Sequence, residues 1–162
     1  MLTDWLTALQ DVPVVAALRA SRWSYAAVNA SHIVGIALLV GAIVPLDLRL
    51  MGCWRRFVSI RALAKVLVPV AAAGLLIAIA AGFMLFSIRA VQYASLGLFQ
   101  VKLALILCGI GNGLLLRRAV AWETASHDIG VLPPARLRAA GAASIAIWLS
   151  VLVCGRMLAF LE

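Results

Sequence analysis

The chain has 162 residues, 65% of them hydrophobic, and a formal net charge of +8. Its mean hydropathy is +1.10, whereas soluble globular domains are only about 45–50% apolar. That composition excludes an ordinary soluble domain, and the positive charge reads as membrane topology rather than as a nucleic-acid surface.

The N-terminal segment is amphipathic. Leu2, Trp5, Leu6, Leu9 and Val12 fall on one helical stripe, with Thr3, Asp4, Gln10 and Asp11 elsewhere. Pro13 interrupts it, so the pattern predicts an interfacial helix, a turn and a second short segment, with Trp5 and Trp23 at headgroup level. Asp4 and Asp11, and the lack of a basic start before an apolar run, argue against a secretory signal.

Four apolar stretches follow, at about 24–45, 66–88, 98–116 and 139–161. Each meets the roughly 20 residues that a spanning helix needs. They show no alternation, and an open sheet cannot satisfy its backbone in lipid. The expected fold is all-α: one integral-membrane domain, a four-helix bundle with an N-terminal interfacial amphipathic helix.

Charge placement orients the bundle. The first connection holds Arg49, Arg55, Arg56, Arg61 and Lys65, opposed only by Asp47; the third holds Arg117, Arg118, Arg136 and Arg138. These nine of the fourteen basic residues place both connections in the cytoplasm by the positive-inside rule. The expectation is a multi-pass protein of a bacterial inner membrane with both termini periplasmic. Its basic loops would also attract anionic lipids.

His32 is the candidate functional residue. It lies in YAAVNASHIVGIALLVGAIV, residues 25–44, which has no Asp, Glu, Lys or Arg. At that orientation it sits roughly 12 Å below the outer face, too deep for its short side chain to reach water. An imidazole there is either hydrogen-bonded across helices or used. Lys102, Arg156 and Arg89 lie at comparable outer levels of the other three spans, where long side chains can also snorkel.

A functional reading joins them. A neutral imidazole in a dry helical bundle is a common axial ligand of haem iron, and haem propionates want cations on the aqueous side. His32 would be the metal ligand of haem b, with Lys102, Arg156 and Arg89 around the anionic groups; a quinone would use similar partners. Tyr25 and His32 share one helical line with Leu39 and Ile43, flanked by Asn29 and Ile36, so Tyr25 and Asn29 join the candidate site. Gly109 and Gly113 share the line of Lys102, and Gly74, Ala78, Ala81 and Gly82 form a second smooth face. Small faces suit close helix packing or a flat macrocycle.

The remaining polar residues suggest less. Asn112 reads as an interhelical hydrogen-bonding residue, Asp47 and Arg49 as an interfacial turn with a weak local ion pair, and His127 as solvated. Cys53, Cys108 and Cys154 have no close spacing, so neither a zinc site nor covalent haem attachment has support. Copper is the alternative metal, held by His32 with Met84, Met157 or Cys154 toward the outer face. P-loop, nucleophile-elbow and H-E-x-x-H motifs are missing. A further alternative is an accessory subunit without a cofactor. The expected partners are the lipid bilayer and further copies or subunits of a membrane complex, and no nucleic acid.

The run from His32 to Gly52, HIVGIALLVGAIVPLDLRLMG, resembles an uncharacterised bacterial family of small four-span membrane proteins, marked by H-x-x-G-x-A-L-L-V-G followed by D-L-R-L-x-G. Ser21-Arg22-Trp23-Ser24-Tyr25 and Phe99-Gln100-Val101-Lys102-Leu103 carry the same resemblance, which implies no biochemical function. More distantly, the early His32 and the Val101-Lys102-Leu103 opening of span three look like membrane protoporphyrinogen oxidases that bind haem b, and like copper-resistance membrane domains. That likeness implies His32 as a ligand and Lys102 as its partner. Where many members of the closer family carry a histidine at the inner end of span three, this chain has Arg117, which removes the obvious second histidine ligand.

Overall fold

The computed structural model describes residues 2–118, 122 and 129–160. Its elements are α1 (Leu2–Gln10), α2 (Pro13–Ala20), α3 (Arg22–Leu50), α4 (Ile60–Ile88), α5 (Ala90–Ser95), α6 (Gly97–Arg118) and α7 (Ala135–Leu158). The fold is all-α, and α3, α4, α6 and α7 are each long and apolar enough to cross a membrane.

Local chemistry sets the helix starts. Pro13 opens α2, where its missing N–H costs nothing. The Ser21 hydroxyl accepts from Ser24 N at the start of α3, and the Ser59 hydroxyl accepts from Ala62 N at the start of α4. The helices run beyond the apolar stretches. Pro45 does not end α3, which continues to Leu50, and α4 begins at Ile60 rather than near Val66. Such prolines persist in long apolar helices when neighbours re-satisfy the freed backbone. At the other end α7 stops at Leu158, short of the expected boundary at Leu161, which lies outside the described residues.

The long helices pack in the order α4–α3–α7–α6. Missing side chains bring α3 and α4 together: a Cβ on Gly35 would lie 2.6 Å from Ala78 N, and one on Gly74 would lie 2.6 Å from Leu39 N. Gly141 of α7 meets the Asp47 carbonyl of α3 in the same way, and Gly109 of α6 meets the Trp148 ring of α7. Among the described residues, α6 makes no comparable backbone approach to α4. The close backbone contacts therefore run along α4–α3–α7–α6, and α4 and α6 meet through side chains at one end, where Phe86 lies against Phe99.

Each end is closed differently. Leu50, Ile60 and Leu137 are buried together at the α3–α4 connection, with Leu46, Leu116 and Trp122 packed against them. At the opposite end Phe86 of α4 stacks on Phe99 of α6 at 5.1 Å, with Phe83 and Tyr93 beside them. There α1 and α2 lie against α4 and α5. Oriented to satisfy both donors, the Gln10 side-chain carbonyl accepts from Ala90 N and Val91 N (2.8 and 3.3 Å), and Arg19 donates to Gln10 O at 2.9 Å. Trp23 is 83% exposed at this end, as an interfacial anchor would be.

Candidate functional site

The imidazole of His32 crosses from α3 to α4, where its Nδ1 lies 2.8 Å from Ala78 O. A carbonyl only accepts, so Nδ1 carries the hydrogen. Gly82 makes this possible. It stands one turn after Ala78, over that carbonyl, and a Cβ there would lie 2.9 Å from His32 Cε1 and 3.2 Å from Nδ1. With Nδ1–H committed to the helix, neutral His32 keeps its lone pair on Nε2.

Lys102 on α6 is half-buried and turned toward α7. Its Nζ would be 3.4 Å from a Cβ on Gly155, and its Cε 3.7 Å. Asp47 is the only acidic residue in the four long helices, at the far end of α3. A charged Lys102 therefore has no carboxylate of these helices at its own level.

The other candidates are more open. Arg89 is exposed and caps the C-terminus of α4. Arg156 is exposed, with its guanidinium carbon 4.8 Å from the Phe160 ring centre. Tyr25 and Asn29 are exposed on α3, whereas Leu39 on the same line is buried. Of the copper candidates, Met84 lines an apolar cavity of about 200 Å³ beneath α1 and α2, together with Leu9, Val12, Val15, Leu18, Phe83 and Ser87. Met157 is exposed and Cys154 is half-buried beside Gly155. Among the described residues no group of three or more His, Cys, Asp or Glu is placed to hold a metal ion. His127 lies outside the described residues.

The smooth faces have a use in packing. Gly74, Ala78 and Gly82 are filled by α3, and Gly109 by Trp148 and Ile147; only Gly113 is open. The filled positions on these faces serve close helix packing. Asn112 behaves as expected, with Nδ2 donating to Ala140 O of α7 at 3.0 Å.

Asp47 and Arg49 depart most from expectation. They lie within α3 rather than in a turn, and are 4% and 0% exposed. Residues two apart on a helix do not face each other, and these two take different partners. The Ser144 hydroxyl donates to the Asp47 carboxylate, and Arg49 Nε donates to Val58 O at 2.6 Å. The available sequence signal was their alternation with Leu46, Leu48 and Leu50, which placed two ionisable groups in an apolar neighbourhood.

Comparison of the chain with protein-family models, with curated proteins and with solved structures gives no match.

Proposed function

We propose that this protein is a multi-pass protein of a bacterial inner membrane that holds haem b or a related redox ligand near the periplasmic ends of its helices, and that its role is electron transfer or redox chemistry. His32 is the proposed axial ligand, and Lys102 the internal cation nearest in kind to what an anionic ligand needs. Arg156 and Arg89 would meet such a ligand at the aqueous side, with Tyr25 and Asn29 on the outer approach along α3. Both termini are proposed to be periplasmic, and the protein to act as a homo-oligomer or as a subunit of a larger complex.

One observation supports this reading above the rest. The Nδ1–H bond to Ala78 O fixes the tautomer and leaves Nε2 as a lone-pair donor. A backbone carbonyl on the second nitrogen is how metal-ligating histidines are commonly oriented, and it raises the basicity of the ligating nitrogen. The same tautomer disfavours a neutral His32 as donor to a quinone carbonyl, since Nε2 then has no hydrogen to give.

A cofactor-free accessory subunit is the competing reading. It needs His32 only as an interhelical hydrogen-bonding residue, and the Ala78 contact together with the filled glycine faces meets that need. Absorption spectra of protein purified from haem-replete cells separate the two. The leading proposal expects a Soret band that shifts on reduction and is lost in His32→Ala. A colourless, metal-free protein that is stable only with a partner refutes it and favours the accessory role. Copper in a metal analysis, without a Soret band, would move the site to copper handling.

A further inference from the structure

The turn between α3 and α4 carries two exposed aromatic residues. Trp54 is 50% exposed and Phe57 is 86% exposed. Trp54 also has a φ of +53°, a left-handed conformation that bulky residues rarely adopt. Neither burial nor backbone preference accounts for tryptophan there.

The turn is held from within. Gly52, at φ +107°, precedes Trp54. Phe57 N and Val58 N donate to Trp54 O at 2.9 and 3.2 Å, and the Arg55 carbonyl accepts from Gly130 N at 2.8 Å. Buried Arg49 donates to Val58 O. A strained residue persists where its surroundings over-determine it, and these bonds do so. They keep the two rings on the outside of the turn, next to half-buried Arg55 and exposed Arg56.

The position of the turn names its partner. It joins directly the ends of two helices long and apolar enough to cross a membrane, so Trp54 and Phe57 sit at the boundary where aromatic rings are favoured. Residues 51–59 add two positive charges and no negative one. We infer that residues 51–58 form a docking site for the headgroup of an anionic phospholipid. Trp54 and Phe57 seat at the glycerol level, and the Arg55 and Arg56 guanidinium groups face the phosphate. The site rests on the membrane-spanning reading of α3 and α4, and is independent of any ligand at His32.

The test uses the full chain in nanodiscs of phosphatidylcholine with and without phosphatidylglycerol, followed by native mass spectrometry of the lipids retained. Wild type should keep phosphatidylglycerol preferentially. Arg55→Gln and Arg56→Gln should each lower that preference about fivefold, the worth of one basic residue near an anionic surface. Lys65→Gln, an equal charge change outside the turn, should leave it in place. Trp54→Gly should lower retention while the melting temperature holds or rises, because glycine relieves the left-handed backbone. Equal retention of both lipids by wild type overturns the inference. So does a loss on Lys65→Gln matching that of the arginine variants, or unchanged retention in Trp54→Gly. Release of the wild-type protein from vesicles by alkaline carbonate overturns instead the spanning reading beneath it.

Discussion

The two ends of α3 are packed with a different balance of large side chains and glycines. At the Leu50 end one glycine, Gly141 of α7, lies against the Asp47 carbonyl, and large side chains fill the rest of the space: Leu50, Ile60 and Leu137 are almost wholly buried. Two ionisable residues are buried with them, one bonded to Ser144 and the other to Val58 O. At the His32 end, helices meet through missing side chains, at Gly35, Gly74 and Gly82. Large side chains close an interface and leave little room for anything else. Glycines bring backbones into contact, expose a carbonyl such as that of Ala78, and leave the second nitrogen of the imidazole unspent. That contrast is why the His32 end, not the better-packed end, is the place to look for a ligand.

Leu137→Ala is the most damaging way to break this contrast. It should cost about 2–5 kcal/mol by emptying a filled core, measured as unfolding of the purified protein in detergent. The His32 tautomer, read from imidazole nitrogen chemical shifts, should not change. A coupled change would show that the two ends are one cooperative unit. Gly74→Val should come next, at about 1–3 kcal/mol, because its Cβ would stand 2.6 Å from Leu39 N. This variant attacks the glycine-built contact itself and should disturb His32 as well.

Gly82→Ala sharpens the comparison at one atom. Its methyl group would crowd the imidazole off Ala78 O, a loss of about 0.5–1.5 kcal/mol for one hydrogen bond. Histidine nitrogen shifts should report the freed tautomer, and any spectrum of a ligand on His32 should move with them. An unchanged tautomer would show that Ala78 O does not fix it. Asn112→Leu should have the smallest effect, about 0.6 kcal/mol, typical of an interhelical hydrogen bond in a membrane protein. Thermal melts should show a slight destabilisation with His32 untouched, since Asn112 ties α6 to α7 rather than α3 to α4.

Composition and helix length alone give the class of fold and mark His32 as an oddity. Four long apolar runs leave helices as the only satisfied backbone, so α3, α4, α6 and α7 were legible from composition and length. The amphipathic start and the break at Pro13 were legible too, because helical periodicity and a missing N–H act locally. Which helix faces meet is set by the packing of the folded chain. Hydropathy distinguishes lipid from water but not lipid from a neighbouring helix, so it could not give the packing order α4–α3–α7–α6. Nor could it show that Gly74 and Gly82 serve α3, or that Arg89 and Arg156 stay exposed while Lys102 turns toward α7. Asp47 and Arg49 show the same limit: two charges in a leucine run look like a surface turn until the helix carries on past Pro45 and buries them. Helix formation follows from what each segment carries, whereas the partner of each polar group depends on residues distant in the chain: Ala78 for His32, Ser144 for Asp47.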